Sequence, residues 1–284
     1  MNETLKRPLE LGTSRRVPVI PGSRADRQNW QQEEADRARY TPRILPPEPE
    51  AILEYYEKRK EGRERAKKII TEMAQSGNEV RIAIQKNGRL SAVAWGLLEA
   101  CLEAAGVPTT EEERQLQRKN RALVYEIPTL PNVKIVSARS GDIAWYVESG
   151  NADIGIIGED QVLEKNSKVE IVARLGLGEC SLAIAVPEGS QITTLKDLNG
   201  KTIATSLPTI LKKYLQEKKV RPKSIIELGG SVEAATALGF ADAVCDITET
   251  GSSFIANGLT ELETVRDFEA VVITAKKAKV KPKR

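Results

Sequence analysis

From residue 80 to residue 274 the chain repeats one pattern: a short apolar run, a break rich in Gly, Asn, Ser or Asp, then a longer segment with helical spacing. Few folds accept it. A strand that is apolar on both faces needs helices over both, and strands joined through helices run parallel. The apolar runs predict strands at 80–84, 133–139, 152–158, 181–187, 224–228, 241–247 and 271–274, with another in the 197–206 stretch DLNGKTIATS. Between them lie predicted helices: one capped by Ser91 and stopped by Gly106, a short one from Asp142 to Gly150, one over 208–219, one within 229–239 and a short one after Thr248. A further helix spans 49–75, with Glu54/Lys58, Glu61/Arg65 and Glu64/Lys68 at i,i+4 and a partial apolar stripe of Ile52, Tyr56, Ala66, Ile69, Ile70 and Met73. The expected architecture is α/β, two parallel lobes with a cleft. Lobe one takes 79–178 and a returning segment 260–275, and lobe two takes 179–259. Residues 1–78 form an N-terminal extension, mostly without apolar period before 49, and 276–284 a basic tail. In such a fold a ligand sits between the lobes at the carboxyl ends of strands.

Composition narrows the chemistry. The sequence has no histidine, which excludes Ser-His-Asp and Cys-His nucleophile systems and every His-ligated metal. Catalysis must rest on carboxylates, Lys, Arg, hydroxyls, backbone amides or a metal carried by a substrate. Cys101, Cys180 and Cys245 are isolated in apolar surroundings and read as core residues rather than as a disulfide or zinc set. The net charge of +3 hides a gradient: residues 79–275 carry 21 basic and 27 acidic side chains, and the excess of Lys and Arg lies at the two ends. An acidic body with few aromatics does not suit nucleic-acid binding. No apolar run reaches membrane-span length and the start MNETLKRPLE has no signal-peptide core, so the cytoplasm is the expected location.

Three strand–loop–helix junctions carry the strongest local signals. In the first, Asp246-Ile247-Thr248-Glu249-Thr250-Gly251-Ser252-Ser253, an apolar strand delivers an acid into a hydroxyl- and glycine-rich turn before a helix. Amides and hydroxyls there suit a phosphate, Gly251 permits close backbone approach, and Asp246 or Glu249 could hold ribose hydroxyls. An ordinary Thr/Ser helix cap reads equally well. Thr205-Ser206-Leu207-Pro208 places a capping serine before a proline, and Gly229-Gly230-Ser231-Val232-Glu233 is a glycine-rich turn. Each alone is more simply a cap; three in one lobe favour a polyanion site. Lys86-Asn87-Gly88-Arg89 follows the first strand of lobe one with two cations, or is a solvated turn.

Together these junctions resemble ATP phosphoribosyltransferase, in the wording of RIAIQKNGRLS (81–91), DIAWYVESGNADIGIIGED (142–160), LGLGECSLAIAVP (175–187), KTIATSLPTILKKYLQEK (201–218), GGSVEAATALGFADAVCDITETGSSFIANGL (229–259) and EAVVIT (269–274). The family's lobes resemble periplasmic-type binding proteins. The resemblance implies that N1 of ATP attacks C1 of phosphoribosyl diphosphate, that pyrophosphate leaves with Mg²⁺ carried by the substrate, and that the product is phosphoribosyl-ATP, the first intermediate of histidine biosynthesis. It makes Thr250, Gly251, Ser252 and Ser253 the 5′-phosphate cradle and sets Asp246 and Glu249 on the ribose. It gives Lys86 and Arg89 the diphosphate or triphosphate charge, with Arg139 nearby, and puts Ser206, Ser231 and Glu233 on the nucleotide side. Arg89, Lys86 and Asp246 are the implied catalytic set, with no protein metal ligand. A homo-oligomer and a regulatory subunit are the implied partners. Departures from the family are TGSSF in place of a TGxTL-type loop, Trp145-Tyr146 within DIAWYV in place of smaller residues, and a match that ends soon after Thr274, before the long form's histidine-binding domain. Residues 1–78 match nothing in it. A non-catalytic two-lobed binding protein that keeps the cleft is the alternative.

Overall fold

The computed structural model describes residues 49–104, 106, 123–127 and 130–276. The predicted basic tail beyond Lys276 and the extension before Pro49 lie outside them. The described elements are α1 (Pro49–Gln75), β1 (Val80–Gln85), α2 (Arg89–Ala104), β2 (Val124–Ile127), β3 (Leu130–Ala138), α3 (Ser140–Glu148), β4 (Ile154–Gly158), α4 (Glu159–Glu164), β5 (Val169–Arg174), β6 (Cys180–Pro187), β7 (Thr202–Thr205), α5 (Pro208–Glu217), β8 (Ser224–Glu227), α6 (Ala234–Ala237), β9 (Ala243–Thr248), α7 (Ser252–Ala256), β10 (Leu259–Phe268) and β11 (Ala270–Ala275).

They build two α/β units. One sheet runs β2-β3-β1-β4-β11-β5 and the other β10-β6-β9-β7-β8. The chain crosses between them twice, from β5 into β6 and from β10 into β11. Both sheets are mixed rather than wholly parallel. β3, β1 and β4 are parallel, as are β9, β7 and β8, while β2, β11, β5, β6 and β10 join antiparallel. The crossings account for β6 and β11, which enter their sheets from the other unit, while β2 pairs with β3, the next strand in the chain.

The central strands are buried without interruption, β4 over all of IGIIG and β6 over CSLAIAV. Cys101, Cys180 and Cys245 are buried, and burial pushes the Cys101 thiol up to about 12, so it stays a neutral core group. α2 opens at Arg89 rather than after a Ser91 cap; the Ser91 hydroxyl instead donates to the Lys86 carbonyl at 3.2 Å. Leu97, Leu98, Cys101 and Leu102 are buried on its inner face. Three strands escape the apolar pattern. β2 and β5 are sheet-edge strands, and β10 reads LTELETVRDF. It lies at a sheet edge, its charges bond neighbouring side chains such as Tyr214 and Ser181, and two register shifts break the alternation that would mark a half-buried strand. Residues 260–268 therefore pair with β6 in the second sheet, not with the first unit as expected; only β11 returns there.

α1 packs Ala66, Ile70 and Ala74 into the first unit's core, where covering an isoleucine is worth about 1.5–3 kcal/mol. On its surface Glu64 pairs with Lys67 at 2.9 Å and Lys68 reaches Glu72 at 3.9 Å, in place of the expected Glu64/Lys68 pair.

The units also meet through side chains. Glu164 on α4 accepts the Thr209 and Ile210 amides at 2.9 and 3.1 Å, satisfying donors at the start of α5. Buried Glu159 accepts Arg174 with both oxygens at 2.7 and 2.8 Å, and Arg266 of β10 at 3.3 Å. Burial is the largest single influence on the Glu159 carboxyl and works to raise its pKa. Arg174 and Arg266 together outweigh it and hold the carboxyl below its usual range. A depressed carboxyl adds stability above its unfolded pKa of 4.5 and loses it as pH falls through the folded value. Glu159→Gln is expected to cost about 1.5–3 kcal/mol near pH 7, the worth of hydrogen bonds to a charged group. In denaturant titrations the deficit should shrink as pH drops below 4.5; a deficit independent of pH would refute the charge's role.

Candidate active site

Parallel register puts the first group of cations together. Gln85 ends β1 opposite Ala138 at the end of β3, so Lys86 and Arg139 leave the sheet side by side, and the Lys86 amide donates to the Ala138 carbonyl at 2.9 Å. Both line a cavity of about 640 Å³ at these carboxyl ends, with Gln85, Asn87, Ser140, Asp142 and Tyr146 among its other walls. The volume suits a nucleotide-sized ligand and the two cations suit its phosphates. Arg89 follows at the first position of α2; its side chain lies outside the described residues. The lining residues Asp142 and Tyr146 did not stand out in the sequence as site candidates, although both follow the end of a predicted strand, where α/β ligands collect.

The same logic assembles the second group. β7 and β9 are parallel neighbours with Thr205 opposite Cys245. Each is followed by a polar residue at the next position, and the Ser206 hydroxyl donates to Asp246 Oδ1 at 2.6 Å. Ser206 is thus not the cap of α5. That helix starts behind Leu207 with Pro208 at its first turn, and the local turn is held by buried Thr205, whose Oγ1 accepts the Leu207 amide at 3.0 Å. Burial pushes the Asp246 carboxyl up, against hydrogen bonds from Ser206 and the Ile247 amide, and the negative charge of Glu233 adds to the rise. Ser206 and Asp246 are therefore one hydrogen-bonded pair joining the ends of the two strands, and the Glu233 charge bears on it.

After Asp246 the strand ends at Thr248, and the loop closes on itself. Buried Thr248 accepts the Gly251 amide on Oγ1 at 2.7 Å, and the Thr250 and Ser252 hydroxyls bond at 2.8 Å. Gly251 stands at the N-cap of α7 with φ 73°, a left-handed conformation that glycine adopts without strain. Thr248 is the organising residue the sequence did not single out; its signal is a hydroxyl three residues ahead of a glycine. Ser252 and Ser253 are exposed on the first turn of α7, and Glu249 is exposed before it. Ser231 caps nothing: α6 begins at Ala234 behind Glu233, and Ser231 itself has φ 50°. None of residues 246–253 lines the first unit's cavity.

Two units therefore each present a ligand-ready edge at strand carboxyl ends, one cationic and one of hydroxyls, a carboxylate and a left-handed glycine loop. Comparison with known proteins decides what this arrangement belongs to. The family model for ATP phosphoribosyltransferase (HisG) matches residues 139–284. The chain belongs to the ATP phosphoribosyltransferase family. It is 40% identical over 193 residues to the ATP phosphoribosyltransferase of Cytophaga hutchinsonii, covering 68% of this chain and 63% of that one. It is 38% identical over 194 residues to that of Parabacteroides distasonis, covering 68% and 64%. The chain thus spans a little under two thirds of the length of these ATP phosphoribosyltransferases. Among solved structures, the ATP phosphoribosyl transferase (HisG:HisZ) complex from Thermotoga maritima is similar with a TM-score of 0.55 at 28% identity, over 69% of this chain and 87% of that one.

Proposed function

We propose that this chain transfers the phosphoribosyl group of phosphoribosyl diphosphate to N1 of ATP, forming phosphoribosyl-ATP and pyrophosphate as the first step of histidine biosynthesis. The observation that carries the reading is the Ser206–Asp246 pair beside the Gly251 loop at the ends of β7 and β9. A carboxylate set there can take ribose hydroxyls while the Thr250–Ser253 turn takes the 5′-phosphate. Lys86, Arg89 and Arg139 of the first unit would hold the diphosphate and triphosphate charge, and Ser231 and Glu233 would lie on the nucleotide side.

In the reaction the bond between C1 and the diphosphate oxygen breaks as the adenine N1–C1 bond forms. No protein nucleophile is needed, which agrees with a chain that has no histidine. The protein's work is to align two polyanions and stabilise the departing diphosphate. Mg²⁺ would arrive on that diphosphate as part of the substrate. No described helix is long and apolar enough to cross a membrane. For an enzyme with the proposed biosynthetic role, we propose a cytoplasmic location. The similar Thermotoga maritima structure is a HisG:HisZ complex, and on that likeness we propose a second, regulatory subunit as a partner; a homo-oligomeric state is proposed from the family resemblance.

The test is an assay with ATP, phosphoribosyl diphosphate and Mg²⁺ that follows phosphoribosyl-ATP directly, run with and without a candidate regulatory subunit. Product formation supports the reading. Tight binding of both ligands with no turnover under either condition would make the chain a binding protein instead.

Asp246 offers a separate check. A carboxyl whose folded pKa is raised costs the folded state stability as pH climbs from the unfolded value of 3.8 through the folded one, and the cost persists above it. Asp246→Asn, which can still accept from Ser206, should therefore raise the melting temperature of the ligand-free protein at neutral pH, with no gain in acid. It should also weaken phosphoribosyl diphosphate binding roughly 10–100-fold, the loss of a charged hydrogen-bond acceptor. A variant that is both less stable at neutral pH and equally good at binding would remove Asp246 from the site.

A further inference from the structure

The segment that matches nothing in the family ends in a helix seated on the joint between the two units. One stripe of α1, spaced three and four residues apart, runs through Arg59, Gly62, Arg63, Ala66, Ile70 and Ala74. Its second half is buried in the first unit's core. Its first half lies on the chain crossings. Arg59 Nη2 is 3.2 Å from Glu269 Oε1, in the link from β10 to β11, and its Nε is 3.5 Å from Glu179 Oε1, in the link from β5 to β6. Arg63 Nη1 donates to the Leu175 carbonyl at 2.8 Å in that same link. Gly62 allows this approach, since a Cβ there would run into the Arg174 carbonyl.

The links themselves are built to bend and are then tied. The first carries two left-handed glycines, Gly176 (φ 59°) and Gly178 (φ 62°), which impose little torsional resistance. Buried Glu269 joins the links by accepting the Gly176 amide at 2.6 Å, and the Ala270 amide donates to Leu177 at 2.8 Å. A few residues that absorb φ/ψ change between two compact units are what a hinge requires.

We propose that α1 is a brace on this hinge, with Arg59 as the positioning residue that ties both crossings to a helix anchored in the first unit and so sets the resting angle between the units. A single guanidinium suits the task because it hydrogen-bonds Glu269 in one link while its charge lies 3.5 Å from Glu179 in the other. The inference stands on the helix and the crossings alone and does not depend on the transfer reaction.

Spin labels on exposed positions of the full chain, Ala92→Cys on α2 and Gln216→Cys on α5, would report the distance between the units; the native cysteines are buried. Arg59→Ala and, separately, Glu179→Ala are expected to broaden the distance distribution relative to the parent and to speed amide exchange at Gly176 and Ala270. Glu179→Ala leaves every residue of α1 in place, so broadening there cannot come from a damaged helix. Lys60→Ala, exposed on the same helix, should leave both readouts at the parent's values. An unchanged distribution in both Arg59→Ala and Glu179→Ala, or equal broadening in Lys60→Ala, would overturn the brace.

Discussion

Gly251→Val should abolish phosphoribosyl diphosphate binding, with titration calorimetry returning no binding heat at millimolar ligand. The cause is conformational rather than a clash in the free protein, since a Cβ at Gly251 would meet nothing within 4 Å. The backbone there has φ 73°. A left-handed residue with a Cβ costs roughly 1–2 kcal/mol, and β-branched valine tolerates it least. The loop can relieve that cost by moving φ to negative values, which pulls the Gly251 amide away from Thr248 Oγ1 and dissolves the turn formed by Thr250 and Ser252. If the loop held its shape instead, the isopropyl group would stand in the open space the phosphate is proposed to fill. Either way the cradle is lost while the sheet, whose strand β9 ends at Thr248, survives. Gly251→Ala should fall between the two, and the valine variant should still unfold cooperatively. Binding by Gly251→Val at the parent's affinity would separate this loop from the ligand.

Arg89→Ala is expected to lower kcat and kcat/KM together by roughly 10²–10³, the usual effect of removing one electrostatic stabiliser of a transition state. Where Arg89 stands is informative. It is the first residue of α2, behind Gly88 at φ 99°, and the first turn contains no acidic residue. A cation at that end opposes the helix dipole, so helix stability does not account for it. A residue that breaks a local rule is better explained by a task. Its neighbours on one side, Gln85, Lys86 and Asn87, line the cavity, and on the other Leu90 is buried. The backbone is thus held between a ligand-sized space and the core. Charge grows on the diphosphate as its bond to ribose breaks, so a cation there gains attraction as the reaction proceeds. Arg89→Lys should recover only part of the rate, because the planar two-pronged donor is gone. A rise in KM at constant kcat would mean that Arg89 binds the ground and transition states alike, and unchanged kinetics would exclude it from the site.

What could be read from residues alone follows a clear line. Strands buried on both faces announce themselves by composition, which is why β1, β4, β6, β9 and β11 were legible and why the α/β class followed. The wording of six stretches between 81 and 274 carries the family resemblance. Edge strands carry no such mark: Glu261, Glu263, Arg266 and Asp267 in β10 look like a loop until a neighbour's backbone claims their hydrogen bonds. Caps were misread for a related reason. Ser206 and Thr205 are both hydroxyls before a helix, and only the neighbouring strand decides which one faces its own turn and which faces Asp246. The sequence alone therefore determined the class, the family and the residue types of the candidate site, because periodicity and motif wording are local properties. The tertiary structure alone decided that Ser206 bonds Asp246, that β10 belongs to the second sheet, and that α1 touches both crossings. Each of these depends on residues as far as 40 to 210 positions apart brought into contact, and nothing in local spacing encodes that.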